Sequence, residues 1–260
     1  MYPNKRYTRR PKPKKLSSPK TLFVVAFLLL GLIVGGGFLA MRHKTSTTTG
    51  AAKKPAAPAF DKKSFSLTDP TSPWIIVNKQ HQLNPKDYAP TGLRTPNIKV
   101  ESSDMQVNDQ AATALEEMAS AAATDGVELM VVSAYRSYTD QVTIYNSMVH
   151  GYGQEEADRQ SARPGYSEHQ TGWAADLGAA NGKCRIDACF ADTAEGKWLA
   201  SNAYKYGFII RYVPGKEQVT GYQPEPWHVR FVGKELSTEM HRVGTQTLEE
   251  FFNLPAAPTY

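Results

Sequence analysis

Two short stretches hold residue types suited to metal-assisted hydrolysis. Ser167-Glu168-His169-Gln170-Thr171-Gly172-Trp173-Ala174-Ala175-Asp176 sets an imidazole in a Gly/Pro-bounded loop and a carboxylate seven residues later. Fifty-two residues on, Glu225-Pro226-Trp227-His228 offers a second imidazole with a carboxylate three residues before it. Two His and one Asp suit Zn2+ in a catalytic site whose fourth position stays open for water. Glu225, kept near the ion by the stiff Pro226 turn, would be the general base that takes a proton from water made acidic by the metal. Taken singly, each residue also has a plain structural reading: an exposed His169, a salt-bridged Asp176, a Glu225 on a surface turn. Spacing alone leaves all of these open.

The elements that must position these groups can be read from period and punctuation. Gly172 to Leu177 reads as a short strand in which Gly172 and Ala174, on the same face as Asp176, leave room beside its carboxylate. Phe208-Ile209-Ile210 and His228-Val229-Arg230-Phe231 read as further short strands, and Val127 to Ser133 as a buried one. The spacing of Ala111, Leu115, Met118 and Ala122 predicts an amphipathic helix over 106–125, ended by Gly126. Thr139 is the expected cap of a helix over 140–149, and another short helix is expected over 155–162. Thr193 is expected to cap a helix over 194–206 that Gly207 stops, and 235–252 reads as a C-terminal helix. Helices and strands alternate irregularly, so the expected class is α+β, with a small mostly antiparallel sheet flanked by helices. No Gly-rich phosphate loop, Gly-x-Ser-x-Gly elbow or internal repeat is present, which argues against nucleotide chemistry and serine hydrolysis.

Charge is divided along the chain. Residues 1–60 hold 12 of the 30 Lys and Arg and no acid, so residues 61–260 carry 18 basic against 25 acidic side chains, a balance of −7. An acidic body behind a basic tail speaks against nucleic acid as a partner, because a phosphate footprint belongs on the folded part. Leu22 to Met41 is a run of 20 uncharged apolar residues, long enough to cross a bilayer core of about 30 Å. Eight Lys and Arg precede it. The expectation is therefore a cytoplasmic tail over 1–21, an uncleaved transmembrane anchor over 22–41, a flexible extracellular tether over 42–70 and one domain over 71–260. Cys184 and Cys189 then lie in an oxidising space, where they are expected to form a disulfide that pins a loop.

The order Ser-x-His-x-x-Gly-x-Ala-x-Asp, followed by Glu-x-x-His, resembles the VanY-type zinc D-alanyl-D-alanine carboxypeptidases and their L,D-carboxypeptidase relatives. Here the first element is Ser167, His169, Gly172, Ala174 and Asp176, and the second is Glu225 and His228. Ser133-Ala134-Tyr135-Arg136-Ser137-Tyr138, with Gln141, is similar to the family's Arg-bearing segment after a core strand. The resemblance covers roughly residues 75–235. It implies one Zn2+ held by His169, Asp176 and His228, with Glu225 as the base that later protonates the leaving amine. It further implies that Arg136 holds the substrate carboxylate or the developing oxyanion, with Ser167 and Gln141 as neighbouring hydrogen-bond donors. A guanidinium fork suits a terminal carboxylate bidentately. Tyr138, Trp173 and Trp227 have two readings each, as pocket wall or as core. The implied substrate is the C-terminal D-alanine of peptidoglycan stem peptides, with an L,D-specific enzyme, an endopeptidase or a noncatalytic wall-binding module as alternatives.

Overall fold

A computed structural model of the chain describes residues 60–260. The expected tail, the anchor over 22–41 and the tether up to residue 59 lie outside the described residues. Among the described residues no helix is long and apolar enough to cross a membrane.

In chain order the elements are β1 (Leu93–Arg94), β2 (Val107–Asn108), α1 (Asp109–Thr124), β3 (Leu129–Ser133), α2 (Tyr138–Tyr152), α3 (Gln154–Gln160), β4 (Ala174–Ala179) and α4 (Ala194–Asn202). They continue with β5 (Phe208–Tyr212), α5 (Glu217–Thr220), β6 (Glu225–Phe231), α6 (Lys234–Val243) and α7 (Leu248–Phe251). Strands β1 and β2 pair with each other, and the central sheet runs β3-β4-β6-β5 with every neighbour antiparallel. This is the α+β architecture expected from the irregular alternation.

Two apolar clusters hold the sheet. On one side Ala111, Leu115, Met118 and Ala122 of α1 are buried with Val131, Ala175, Leu177 and Val229 of the strands. On the other, Trp74, Ile76, Ile209, Leu236, Met240, Leu248 and Phe251 pack together, and Trp74 Nε1 donates to Val232 O at 2.8 Å. Each fully buried large apolar side chain stabilises by about 1.5–3 kcal/mol, so both clusters contribute substantially. Packing begins before the expected domain start at residue 71. Phe60 stacks on Trp74 at 5.5 Å and meets Phe251 edge-on at 5.5 Å, because the second cluster leaves aromatic faces for it.

Several boundaries differ from the sequence expectation for local reasons. Helix α1 starts at Asp109, since Val107 and Asn108 pair with β1 and the Asn108 side chain accepts from Gln110 N. Helix α2 is capped by Ser137, whose Oγ accepts from Asp140 N at 3.1 Å, and not by Thr139. Only the first nine residues of the 194–206 segment are α-helical, and Ala203–Tyr206 tightens into a 3-10 turn before Gly207. The single C-terminal helix is in fact two: Gly244 ends α6 in the left-handed region, and Thr247 caps α7 by accepting from Glu250 N at 3.2 Å.

Gly172 governs how the chain enters β4. It sits at φ +75°, closing the 3-10 turn Glu168–Thr171, and a Cβ there would come within 2.8 Å of Leu93 Cδ2. Gly172→Ala therefore meets both a strained backbone and a clash, and should lower stability by about 1–3 kcal/mol. Chemical denaturation measures this, and an unchanged midpoint would refute it.

Candidate metal centre

Antiparallel pairing brings the two principal strands' ligands together. Asp176 on β4 lies directly opposite His228 on β6, and directly opposed residues present their side chains on the same face at short range. His169 arrives from the 3-10 turn that precedes β4. The result is convergent: Asp176 Oδ1 is 3.4 Å from His169 Nε2 and 3.2 Å from His228 Nδ1, and all three side chains are buried. One ligand atom from each of the three lies within 4.8 Å of the others.

Glu225 joins them through an irregularity. Residues three apart on a regular strand point to opposite faces. Between the pairs Ile210↔Val229 and Tyr212↔Glu225, however, β5 advances two residues and β6 four, so β6 is bulged around Pro226. Glu225 lies at the far end of this irregular stretch, and its Oε2 is 3.5 Å from His228 Nδ1.

The surroundings of each group explain its proton affinity. Burial pushes the Glu225 carboxyl up to about 8, with nearby Asp176 adding to the rise and His228 and Arg136 opposing it. Burial also lowers His169, keeping that imidazole neutral, although Asp176 opposes the change. For His228 burial acts in the same direction but is outweighed by the carboxylates of Asp176 and Glu168 beside the ring, which raise it to about 9. His169 Nδ1 is 2.7 Å from Ala134 O. A carbonyl can only accept, so Nδ1 carries the proton and Nε2 presents its lone pair toward Asp176 and His228.

These residues fit a zinc ion on two counts. The donor set, two imidazoles and a carboxylate, matches the preferences of catalytic zinc. Asp176 Oδ1 is also fully enclosed yet makes no hydrogen bond of acceptable geometry, despite two imidazole nitrogens within 3.4 Å. A buried anionic oxygen without a partner is costly unless a cation shares its space.

The other expected site residues fall around this centre with some changes of role. Arg136 follows β3, donates to Gln141 Oε1 at 2.9 Å and to Ser133 Oγ at 3.1 Å, and sits near enough to influence His169 and Glu225. Gln141 is buried, and its amide donates to Ala162 O at 2.6 Å and Ser161 Oγ at 3.2 Å. It is thus a brace for Arg136 and not a free donor to substrate, because both its N–H groups and its carbonyl already have protein partners. Ser167 is buried at the start of the His169 turn. Tyr138 begins α2 with the Lys86 ammonium 5.7 Å from its ring centre. Trp173 stacks on Phe231 at 5.7 Å and belongs to the core, while Trp227 packs partly buried beside it. Cys184 and Cys189 form the expected disulfide.

Sequence reasoning missed the charged network behind the centre. Glu168 Oε2 lies 3.3 Å from His228 Nε2, and its Oε1 accepts from Arg211 Nε and Arg230 Nη1, both at 2.8 Å. Arg211 pairs bidentately with Glu249 at 3.0 and 2.7 Å, Asn78 donates to Glu249 at 2.9 Å, and Arg230 also caps Pro73 O and Ile75 O. Glu168, Arg211, Arg230 and Glu249 are all buried. Their scarcity as fully buried residue types is a signal only once burial is known.

Comparison with known proteins agrees with this geometry. The family model for VanY, D-alanyl-D-alanine carboxypeptidase, matches residues 104–234. A D-alanyl-D-alanine carboxypeptidase of Enterococcus faecalis is 30% identical over 260 residues, covering 89% of this chain and 88% of its own. The solved structure of the LD-carboxypeptidase LdcB superposes with TM-score 0.67 at 41% identity, covering 71% of this chain and 87% of that one. The vancomycin-resistance D,D-pentapeptidase VanY, solved as a mutant in complex with Zn(II), superposes with TM-score 0.58 at 31% identity, covering 69% of this chain and 98% of that one. Fold, donor set and relatives together define a zinc metallocarboxypeptidase that acts on peptidoglycan peptides. The chain belongs to the VanY family of D-alanyl-D-alanine carboxypeptidases.

The buried network also makes a stability statement. Burial opposes ionisation of Glu249, but the charge and hydrogen bonds of Arg211 outweigh it and hold its carboxyl below the ordinary 4.5. A depressed pKa contributes stability above pH 4.5 that is lost as pH falls through the folded value. Glu249→Gln leaves Arg211 and Arg230 to share the single charge of Glu168, which should cost about 3–5 kcal/mol at pH 7 and flatten stability loss on acidification. Urea denaturation at pH 7 and at pH 3 checks both parts, and equal acid sensitivity in the two proteins would count against this pairing.

Proposed function

We propose that this enzyme removes the C-terminal D-alanine from peptidoglycan stem peptides, with the D-Ala-D-Ala terminus of the pentapeptide as its preferred substrate. The observation that carries the reading is the convergence of His169 Nε2, Asp176 Oδ1 and His228 Nδ1 with the Glu225 carboxylate 3.5 Å from His228. In this reading His169, Asp176 and His228 hold zinc. When bound, zinc supplies Lewis acidity, polarising a carbonyl and letting a water lose its proton near neutral pH.

The chain's own groups do the rest. Glu225 takes the proton of the attacking water on its carboxylate and later gives it to the departing amine of D-alanine. Its raised pKa suits that exchange, since a base near the working pH both accepts and returns a proton efficiently. Arg136 orients the substrate through its terminal carboxylate or stabilises the oxyanion. Gln141 and Ser133 hold two of its N–H groups, and a guanidinium has five, so donors remain to form a fork. Ser167 and Tyr138 flank the peptide.

A second reading, removal of D-alanine from tetrapeptides by an L,D-carboxypeptidase, is favoured by the 41% identity to LdcB. The two readings share every catalytic group and differ in what lies beyond it. We also propose that residues 22–41 anchor the enzyme, with residues 1–21 cytoplasmic and the catalytic domain outside the cell, next to its wall substrate. Membrane fractionation that finds the protein equally soluble with and without residues 22–41 would contradict the anchor.

Mass spectrometry of synthetic pentapeptide and tetrapeptide stems after incubation with the zinc-loaded enzyme decides the specificity. The expected result is loss of one alanine from the pentapeptide first. Faster loss from the tetrapeptide would overturn that in favour of the L,D reading. In the same assay Glu225→Gln should cut turnover by about 10²–10⁴-fold, and Arg136→Ala should weaken use of peptides with a free C-terminal carboxylate far more than of their amides.

A further inference from the structure

We infer that Glu168 is a positioning residue for the metal: it receives the Nε2–H of His228 and thereby fixes the tautomer that aims the Nδ1 lone pair at the ion. The inference rests on the zinc reading above and deepens it. His228 has carboxylates at both ring nitrogens: Nδ1 faces Asp176 Oδ1 at 3.2 Å and Glu225 Oε2 at 3.5 Å, the groups of the metal centre, and Nε2 faces Glu168 Oε2 alone at 3.3 Å. Only one nitrogen faces the cluster that includes His169, so zinc binding requires the ring proton to stay on the other. An ionised carboxylate can only accept, and a carboxylate at Nε2 selects that tautomer.

The rest of the buried network keeps Glu168 an acceptor. Its Oε1 is saturated by Arg211 Nε and Arg230 Nη1, which leaves Oε2 as the oxygen turned to His228. Arg211 is itself neutralised by Glu249, and Arg230 is tied to the backbone at Pro73 and Ile75, so neither guanidinium can swing away. His169 has the complementary arrangement, with its Nδ1–H held by Ala134 O and Nε2 free. The two histidines therefore present different nitrogens, and each is locked by a different kind of acceptor.

Glu168→Gln is the informative change, since it keeps the shape and removes an acceptor. The amide oxygen must stay with the two arginines, so its NH2 faces His228 Nε2, donor against donor. His228 can answer only by moving its proton to Nδ1, where the metal needs a lone pair. Zinc affinity of the full chain, measured by competition with a fluorescent chelator, should fall about 10–100-fold in Glu168→Gln. In the zinc-loaded wild type, 15N NMR of labelled histidines should show His228 coordinated through Nδ1 with a proton on Nε2, and His169 the reverse. Unchanged zinc affinity in a folded Glu168→Gln protein would overturn the inference. If that variant does not fold, coordination of wild-type His228 through Nε2 would overturn it equally. His169→Ala separates this from the zinc reading: if it binds zinc like the wild type, the zinc site itself is wrong, whereas if it loses zinc while Glu168→Gln does not, only the role of Glu168 fails.

Discussion

Three carboxylates surround one buried imidazole. Asp176, Glu225 and Glu168 all lie within 3.5 Å of a ring nitrogen of His228, in a part of the protein from which water is largely excluded. So much negative charge cannot be buried without compensation. The protein divides the task. Arg211 and Arg230 neutralise Glu168 from behind, Glu249 balances the second guanidinium charge, and a divalent cation is the natural counterion for Asp176 in front. Fold, metal binding and acid-base chemistry are thus joined in one electrostatic arrangement.

That arrangement depends on backbone register. A slip of one residue between β4 and β6 would turn either Asp176 or His228 away from the site. Glu225 lies beyond the irregular stretch at Pro226, where the pairing departs from a regular ladder, and its carboxylate reaches His228. Gly172 completes the geometry, because only a turn with a left-handed end and no side chain lets His169 lie so close to the start of β4. The catalytic groups come from a turn, two paired strands and the segment after a third, all supported by the same sheet.

Much of this was legible in the sequence, and the part that was not has a common cause. The spacing of His169, Asp176, His228 and Glu225 alone leaves plain structural readings open, and it is the resemblance of their ordered motifs to the VanY-type enzymes that singles them out. The α1 stripe of Ala111, Leu115, Met118 and Ala122 follows from local periodicity, and all four are buried. Glu168, Arg211, Arg230 and Glu249 were invisible because their meaning is long-range: Arg211 and Glu249 are 38 residues apart and Glu168 and Arg230 are 62 apart. An isolated arginine on a strand reads as a surface residue until the sheet buries it. The resemblance makes Gln141 a donor to substrate, and the partners that occupy its amide instead, Ser161 and Ala162, lie 20 and 21 residues on and cannot be read from its own motif. The sequence reads as one C-terminal helix across Gly244 because a single glycine is a weak break when apolar residues continue beyond it.

The central claim is that one zinc ion is held by a turn, β4 and β6 together. Anomalous diffraction from crystals of the zinc-loaded enzyme, recorded on both sides of the zinc edge, tests this most directly. The account predicts one strong peak bonded to His169 Nε2, Asp176 Oδ1 and His228 Nδ1, with Glu225 beside it but not bonded. A peak elsewhere, or one that draws its ligands from Glu225 in place of Asp176, would contradict it.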